Sequence, residues 1–372
     1  RHTRSFHVTG VQTCALPIWY LKNLINEHQS LNKLKSSFRD SQNFVFEHEN
    51  QIFRALSETS FEAINIFLKS ELYKILLTEN NIIETNIVSE KSFKFKSNFK
   101  YFIQHKKLNV LTYKETWSFN MLKDAAKLTL ELQEKLLKLG LSLKDASVFN
   151  IQFINSAPIF IDLGSIIKAE NEIFWSGYRQ FCEMFLYPLT ISSSLKINHQ
   201  DFYMYTTRGI KAETTWKMIK FRDKLKLNNV INIRLQINKK KQNIDRKLLD
   251  QELKVAGFST NLKLKQIKRL QSIILNLNTP KINSSWNNYS KREHYDEKDL
   301  DKKKMIISSI FQKKKFEYIV DWGSNDGLFS KYALSLGKSV SCVSLDSDPQ
   351  VIDSLYLNSK NENLRSEEHT SE

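Results

Sequence analysis

Apolar residues along this chain follow two rhythms. In 121–139, Leu122, Ala125, Leu128, Leu132, Leu136 and Leu139 share one helical stripe, and Gly140 stands where such a helix stops. The stretch 61–77 repeats Ile64, Phe67, Leu68, Leu72, Ile75 and Leu76 at the same spacing. Leu21, Leu24, Ile25, Leu31 and Leu34 predict a further amphipathic helix over 19–37. Strands are expected where aromatic and β-branched residues bunch. These are 37–46, QIFRAL (51–56) across a hairpin tip at HEN (48–50), and KYFIQH and KLNVLTY within 100–113. The segment 141–165 reads as a loop and hairpin turning at Asn155-Ser156, and 174 to about 275 as mostly helical and polar. A polar connector, 278–299, lacks any core pattern. Beyond it lie a helix (302–312), a strand FEYIV (316–320), a glycine-bearing turn, a helix from Leu328 and a strand SVSCVSL ending on Asp346. No internal repeat is visible.

The two ends break these patterns. VTGVQTCALPI (8–18) and RSEEHTSE (365–372) back-translate to the two strands of one stretch, TTCAGACGTGTGCTCTTCCGATCT, a common sequencing adapter. Residues 1–18 and 365–372 are therefore expected to be translated adapter, and Cys14 to be no thiol of the protein. The protein segment is then 19–364, cut at both ends.

Composition changes little. The net charge of +16 survives this trimming, because Arg1 and Arg4 add two charges and the C-terminal piece removes two. A basic balance raises the question of nucleic acid. Yet the lysines are scattered, with short clusters at 239–241, 302–304 and 313–315, and Lys, Asn and Ile are abundant throughout, as an AT-rich genome produces. Nucleic acid is accordingly possible but not favoured as a partner. Cys182 and Cys342 have neither metal spacing nor a disulfide framework, which fits a reducing cytoplasm. No apolar run reaches the roughly 18 residues of a membrane span.

The chemistry concentrates in Asp321-Trp322-Gly323-Ser324-Asn325-Asp326-Gly327. Strand, glycine turn, helix, strand and terminal acid follow in the order of a nucleotide-type cofactor site. There, glycines let the backbone approach the ligand, and an acid about twenty residues on takes the ribose hydroxyls. G-x-G-x-x-G is absent, which disfavours a dinucleotide. The D-x-G-x-N-x-G pattern resembles the first motif of class I S-adenosylmethionine-dependent methyltransferases. The resemblance implies that Asp321, Gly323, Asn325 and Gly327 line S-adenosylmethionine and that Asp346 pairs with its ribose. Trp322 and Asn325 depart from the commonest form, which has a small or aliphatic residue and a glycine there.

A second set lies upstream: Asp145, Asn150 five residues on, and Asp162 in Ile161-Asp162-Leu163-Gly164. Its order resembles the catalytic loop and D-F-G-like turn of protein kinases and aminoglycoside-type phosphotransferases. That implies Asp145 as base and Asn150 and Asp162 as magnesium ligands, with ATP as the alternative cofactor. No His precedes Asp145, no glycine-rich loop lies near 37–46, and Arg54 stands where a kinase has lysine, a change that is not neutral. The alternative is that Asp145 and Asn150 cap turns around the hairpin. The stretches SSFRDSQNFVF, YKETWSFNMLKDAAKLTLELQ and SLKDASVFNIQFINSAPIFID also resemble the N-terminal region of a large bacterial type of class I methyltransferase.

The expected organisation is an α+β region over 19–285, with a degenerate kinase-like arrangement as one alternative, and a linker over 286–299. The truncated start of an α/β Rossmann-like methyltransferase domain follows over 300–364. The expected activity is methyl transfer from S-adenosylmethionine to an acceptor the sequence does not identify. The alternative is a kinase-like phosphotransferase or nucleotide-binding protein. Two of the roughly seven strands of such a sheet bury too little surface to stand alone, so 19–364 by itself is expected to be inactive.

Overall fold

In the computed structural model, the described residues are 43–90, 93, 99–169, 174–204, 206–239, 260–282, 297–337 and 341–368. The helix expected over 19–37 and most of the 286–299 linker lie outside them. The fold is mixed α/β, and its contacts divide it into two compact units. One comprises residues up to Asn109 together with Leu163–Ile167. The other comprises Val110–Asp162 and the chain from Lys168 onward.

The first unit is a four-stranded antiparallel sheet with two helices. Strands β1 (Asn43–His48) and β2 (Gln51–Leu56) form a hairpin. Glu49 and Asn50 both adopt positive φ (48° and 63°), the primed geometry that matches strand twist. Then come α1 (Glu58–Leu68), α2 (Glu71–Thr78), β3 (Thr85–Val88) and β4 (Tyr101–His105), giving the order β1-β2-β4-β3. The apolar run 61–77 is therefore two helices. Ser70 interrupts it, capping α2 by accepting from the Tyr73 N–H (3.2 Å). KLNVLTY forms no strand, and β3 was not foreseen.

Phe44, Phe46, Phe53, Phe93 and Phe102 fill the sheet's core. Phe46 stacks on Phe53 (5.5 Å) and meets Phe93 and Phe102 edge-on. Truncating this centre, Phe46→Ala, is expected to cost about 3–5 kcal/mol. Urea denaturation measures it, and a loss below about 1 kcal/mol would contradict a close-packed aromatic core.

The second unit is built on α3 (Phe119–Lys138), whose Ser118 cap accepts from the Met121 N–H. Its stripe of Leu122, Ala125, Leu132 and Leu136 is fully buried. Gly140 ends the helix at φ +72°. Strands β5 (Leu141–Leu143), β6 (Ile151–Ile154) and β7 (Ala157–Phe160) follow, and β6 and β7 pair as the expected hairpin; β8 (Ile166–Lys168) begins in the first unit's segment Leu163–Ile167. Asn155 and Ser156 turn it at positive φ. Helices α4 (Tyr187–Leu195) and α5 (Thr260–Leu275), with several short helices between them, follow in the upstream part, and α5 packs along α3. The remainder is α6 (Glu297–Lys313), β9 (Tyr318–Trp322), α7 (Leu328–Leu336), β10 (Ser341–Leu345) and α8 (Pro349–Glu368). Strands β9 and β10 pair in parallel. Among the described residues no helix is long and apolar enough to cross a membrane.

Candidate functional site

The glycine turn sits at the carboxyl ends of β9 and β10, where α/β proteins place their ligands. It is tied down from both strands. Gly323 and Ser324 donate their N–H groups to the Leu345 carbonyl (2.8 and 2.9 Å). Asn325 donates its N–H to Asp346 Oδ2 (2.9 Å), and Asp348 donates to Oδ1 of the same carboxylate (3.0 Å). Asp346 thus joins the first turn to the start of α8. Each of its oxygens has a second lone pair for a ligand donor.

The two glycines are not equivalent. Both have left-handed backbones, φ +70° at Gly323 and +76° at Gly327. A Cβ added at Gly323 would meet nothing within 4 Å, so that side of the turn is open. One added at Gly327 would lie 2.5 Å from Leu355 Cδ1. Gly323 leaves room, whereas Gly327 lets α8 approach. Asn325 also holds positive φ (46°), which an Asn tolerates. Beside them, Ser324 Oγ is buried and has no hydrogen-bond partner among the described residues.

Asp321 faces the side that α7 covers. Ser330 Oγ donates to its Oδ2 (2.6 Å) and also meets Ser344 Oγ (2.8 Å). Asp321 and Ser330 form one polar edge of an otherwise apolar cavity of about 280 Å³ between α6, β9 and α7, lined by Ile310, Phe311 and Phe329 among others. The two serines escaped the sequence reading. Their signal is a hydroxyl on a predicted helix one turn after Gly327 and another alternating towards the same face of β10.

Upstream, a backbone bond from Ile161 to the Asn150 carbonyl (2.9 Å) brings Asn150 beside the neighbour of Asp162. The Asn150 amide donates to the Asp145 carbonyl (3.3 Å), closing its own loop. That loop is held further by Trp175 Nε1 to the Leu143 carbonyl (2.9 Å), Ser176 Oγ to the Lys144 carbonyl (3.1 Å) and the Ala146 N–H to Gln180 Oε1 (2.9 Å). In the first unit, a Cβ on Gly164 would lie 2.0 Å from Arg54 Nη1, so the guanidinium lies directly against this glycine. Among the described residues no three His, Cys, Asp or Glu side chains are grouped to hold a metal ion.

The buried thiol Cys182 is not set up as a nucleophile. Burial pushes Cys182 up to about 12, far from a thiolate at neutral pH. Cys182 lies in a π-helical turn (Cys182–Leu186) between Tyr178 and Tyr187. These tyrosines donate to Asn232 Oδ1 (2.8 Å) and to the Asn232 carbonyl (2.6 Å). That cluster is internally satisfied, so it acts as a structural clamp.

No protein-family profile matches the chain. It is 28% identical over 330 residues to nodulation protein NoeA of Rhizobium meliloti (strain 1021), covering 87% of this chain and 68% of that protein. Among solved structures, the kinase PK-1 of Cydia pomonella granulovirus aligns over 65% of this chain and 92% of its own. The identity is 11% and the TM-score 0.27, too low to argue for a shared fold. The chain is thus a mixed α/β protein similar over most of its length to a nodulation protein.

Proposed function

We propose that this chain carries the cofactor-binding start of an S-adenosylmethionine-dependent methyltransferase. The observation that carries the reading is the bond from the Asn325 N–H to Asp346. It makes the glycine turn and the acid one continuous wall at the carboxyl ends of two parallel strands. The open side of Gly323 fits a ligand lying against the turn. In this assignment Gly323, Asn325 and Gly327 shape the cradle, Asp321 anchors it through Ser330, and Asp346 accepts from ribose hydroxyls. S-adenosylmethionine supplies an electrophilic methyl group, and the protein's part is largely to orient it. Tyr318, Val320 and Trp322 alternate outward on one face of β9 at 43%, 51% and 79% exposure. Parallel sheets have both faces covered by helices, so this exposed face has room for a further layer. The acceptor is unassigned.

Calorimetric titration with S-adenosylhomocysteine tests the reading. The wild-type chain should bind it, and Asp346→Ala should bind about 10- to 100-fold more weakly, the effect of losing hydrogen bonds to a charged group. Equal affinity in both, or binding of magnesium-ATP with none of S-adenosylhomocysteine, would overturn the assignment.

A further inference from the structure

Helix α8 has two working sides. Val351 and Leu355 are buried, and Leu355 fills the space beneath Gly327. The other side carries Gln350, Asp353, Tyr356 and Lys360, at successive spacings of three, three and four residues, so they form one stripe. Every member of that stripe is bonded to the upstream part of the same unit. Gln350 Nε2 donates to Asn198 Oδ1 (3.1 Å). Asp353 Oδ1 accepts from the Asn120 N–H (2.8 Å) and Oδ2 from Asn120 Nδ2 (2.6 Å). Tyr356 Oη and Lys360 Nζ both donate to Asp124 Oδ2 (2.8 and 2.7 Å). The Tyr356 ring packs edge-on to Phe153 (5.9 Å).

Asp353 is 5% exposed. A carboxylate so buried survives only if it is fully partnered. Its partners lie in the first turn of α3, where the helix dipole also favours negative charge. At its own start, α8 is continuous with the acid turn. The Gln350 N–H donates to Asp348 Oδ1 (2.9 Å), and the Asp348 N–H to Asp346. The helix therefore connects α3 to both halves of the cradle, Asp346 through its N-terminus and Gly327 through Leu355.

We propose that Asp353 and Asn120 are positioning residues of the cofactor cradle. Through them the upstream helical region sets where Asp346 and the glycine turn stand, and so sets the affinity for the ribose-bearing cofactor. This rests on the cofactor reading above. It adds that the 300–364 region does not bind independently of 110–280. By linkage, a molecule that changes cofactor affinity by shifting α3 has its own affinity changed by the cofactor by the same factor.

The test uses the whole chain and two readouts. The first is S-adenosylhomocysteine affinity, which Asp353→Asn should weaken about tenfold, within the usual range of coupling between sites. The second is hydrogen exchange of 323–327 and 346–356 without ligand, which should speed up in the same variant while α1 in the first unit stays unchanged. The combined variant Asp353→Asn with Asn120→Asp restores the side-chain bond with donor and acceptor exchanged, and should recover both. A generally damaged fold would not be rescued this way. Unchanged exchange at 346–356 in Asp353→Asn, or loss without rescue in the combined variant, would overturn the proposal. If the wild-type chain fails to bind the cofactor yet exchange responds and is rescued, the coupling stands and the cofactor reading falls.

Discussion

Gly327→Val is expected to destabilise the glycine-turn region by about 2–5 kcal/mol, the sum of a left-handed side chain and overpacking against Leu355. Leu355 Cδ1 would be 2.5 Å from the new Cβ, and α8 would have to retreat from the turn. Gly323→Ala is the contrasting case. Its φ of +70° is equally left-handed, but the new methyl meets nothing within 4 Å. The cost there is the backbone term alone, about 1–2 kcal/mol. Hydrogen exchange across β9, α7 and β10 separates the two, because it reads the free energy of local opening. In the Gly327 variant, protection should fall by the larger amount. The Gly323 variant should keep most protection yet bind S-adenosylhomocysteine poorly, since its methyl occupies the open side. If the two variants open equally, the division of labour between these glycines is wrong.

The second large effect is a dependence on pH set by two buried histidines. Burial, with the nearby charge of Arg54, lowers His105 to about 3, and its Nδ1 lies 2.9 Å from Thr85 Oγ1. Burial also lowers His199 to about 3, with Lys114 adding repulsion and the Trp117 backbone partly offsetting it. Lys114 is itself buried, over the Tyr203 ring and paired with Glu115 at 2.9 Å. An unfolded histidine titrates near 6.5. Between 6.5 and about 3 the unfolded chain therefore binds protons that the folded chain refuses. The contribution of these groups is fully present above pH 6.5. It is lost as pH falls, by up to about 1.4 kcal/mol per pH unit for each histidine. Urea midpoints measured from pH 7 to 4 should fall faster for wild type than for His199→Gln or His105→Gln. Parallel slopes for all three would show that neither ring is held neutral.

Helix α3, the β1–β2 hairpin and the β6–β7 hairpin were legible because each writes its own period and its own turn. Six aliphatic positions on one stripe specify a helix whatever packs against it. Asn-Ser and Glu-Asn at hairpin tips reflect the local preference of Asn for positive φ. The order of strand, glycine turn, helix, strand and acid around Gly323 and Asp346 was equally local. That is why the candidate cradle could be proposed residue by residue before any geometry.

Tertiary structure decided the rest. The run 61–77 has one continuous apolar period, but a capping bond at Ser70 splits it in two. KLNVLTY has strand composition, yet Thr112 instead bonds Gln152, its N–H donating to Oε1 (2.7 Å), and supports Trp117 through the Nε1 bond to Thr112 Oγ1 (3.0 Å). Propensity is weak for such short segments, and packing overrides it. Asn150 turned its amide to the Asp145 carbonyl, a choice between capping and ligation that spacing cannot make. Above all, the bonds from Asn120 to Asp353 and from Tyr356 to Asp124 join residues more than two hundred positions apart. The sequence by itself determined the local elements and the residue types at the turn. Which glycine keeps an open side and which lies against Leu355 are properties of tertiary packing. Each depends on where a distant helix comes to rest.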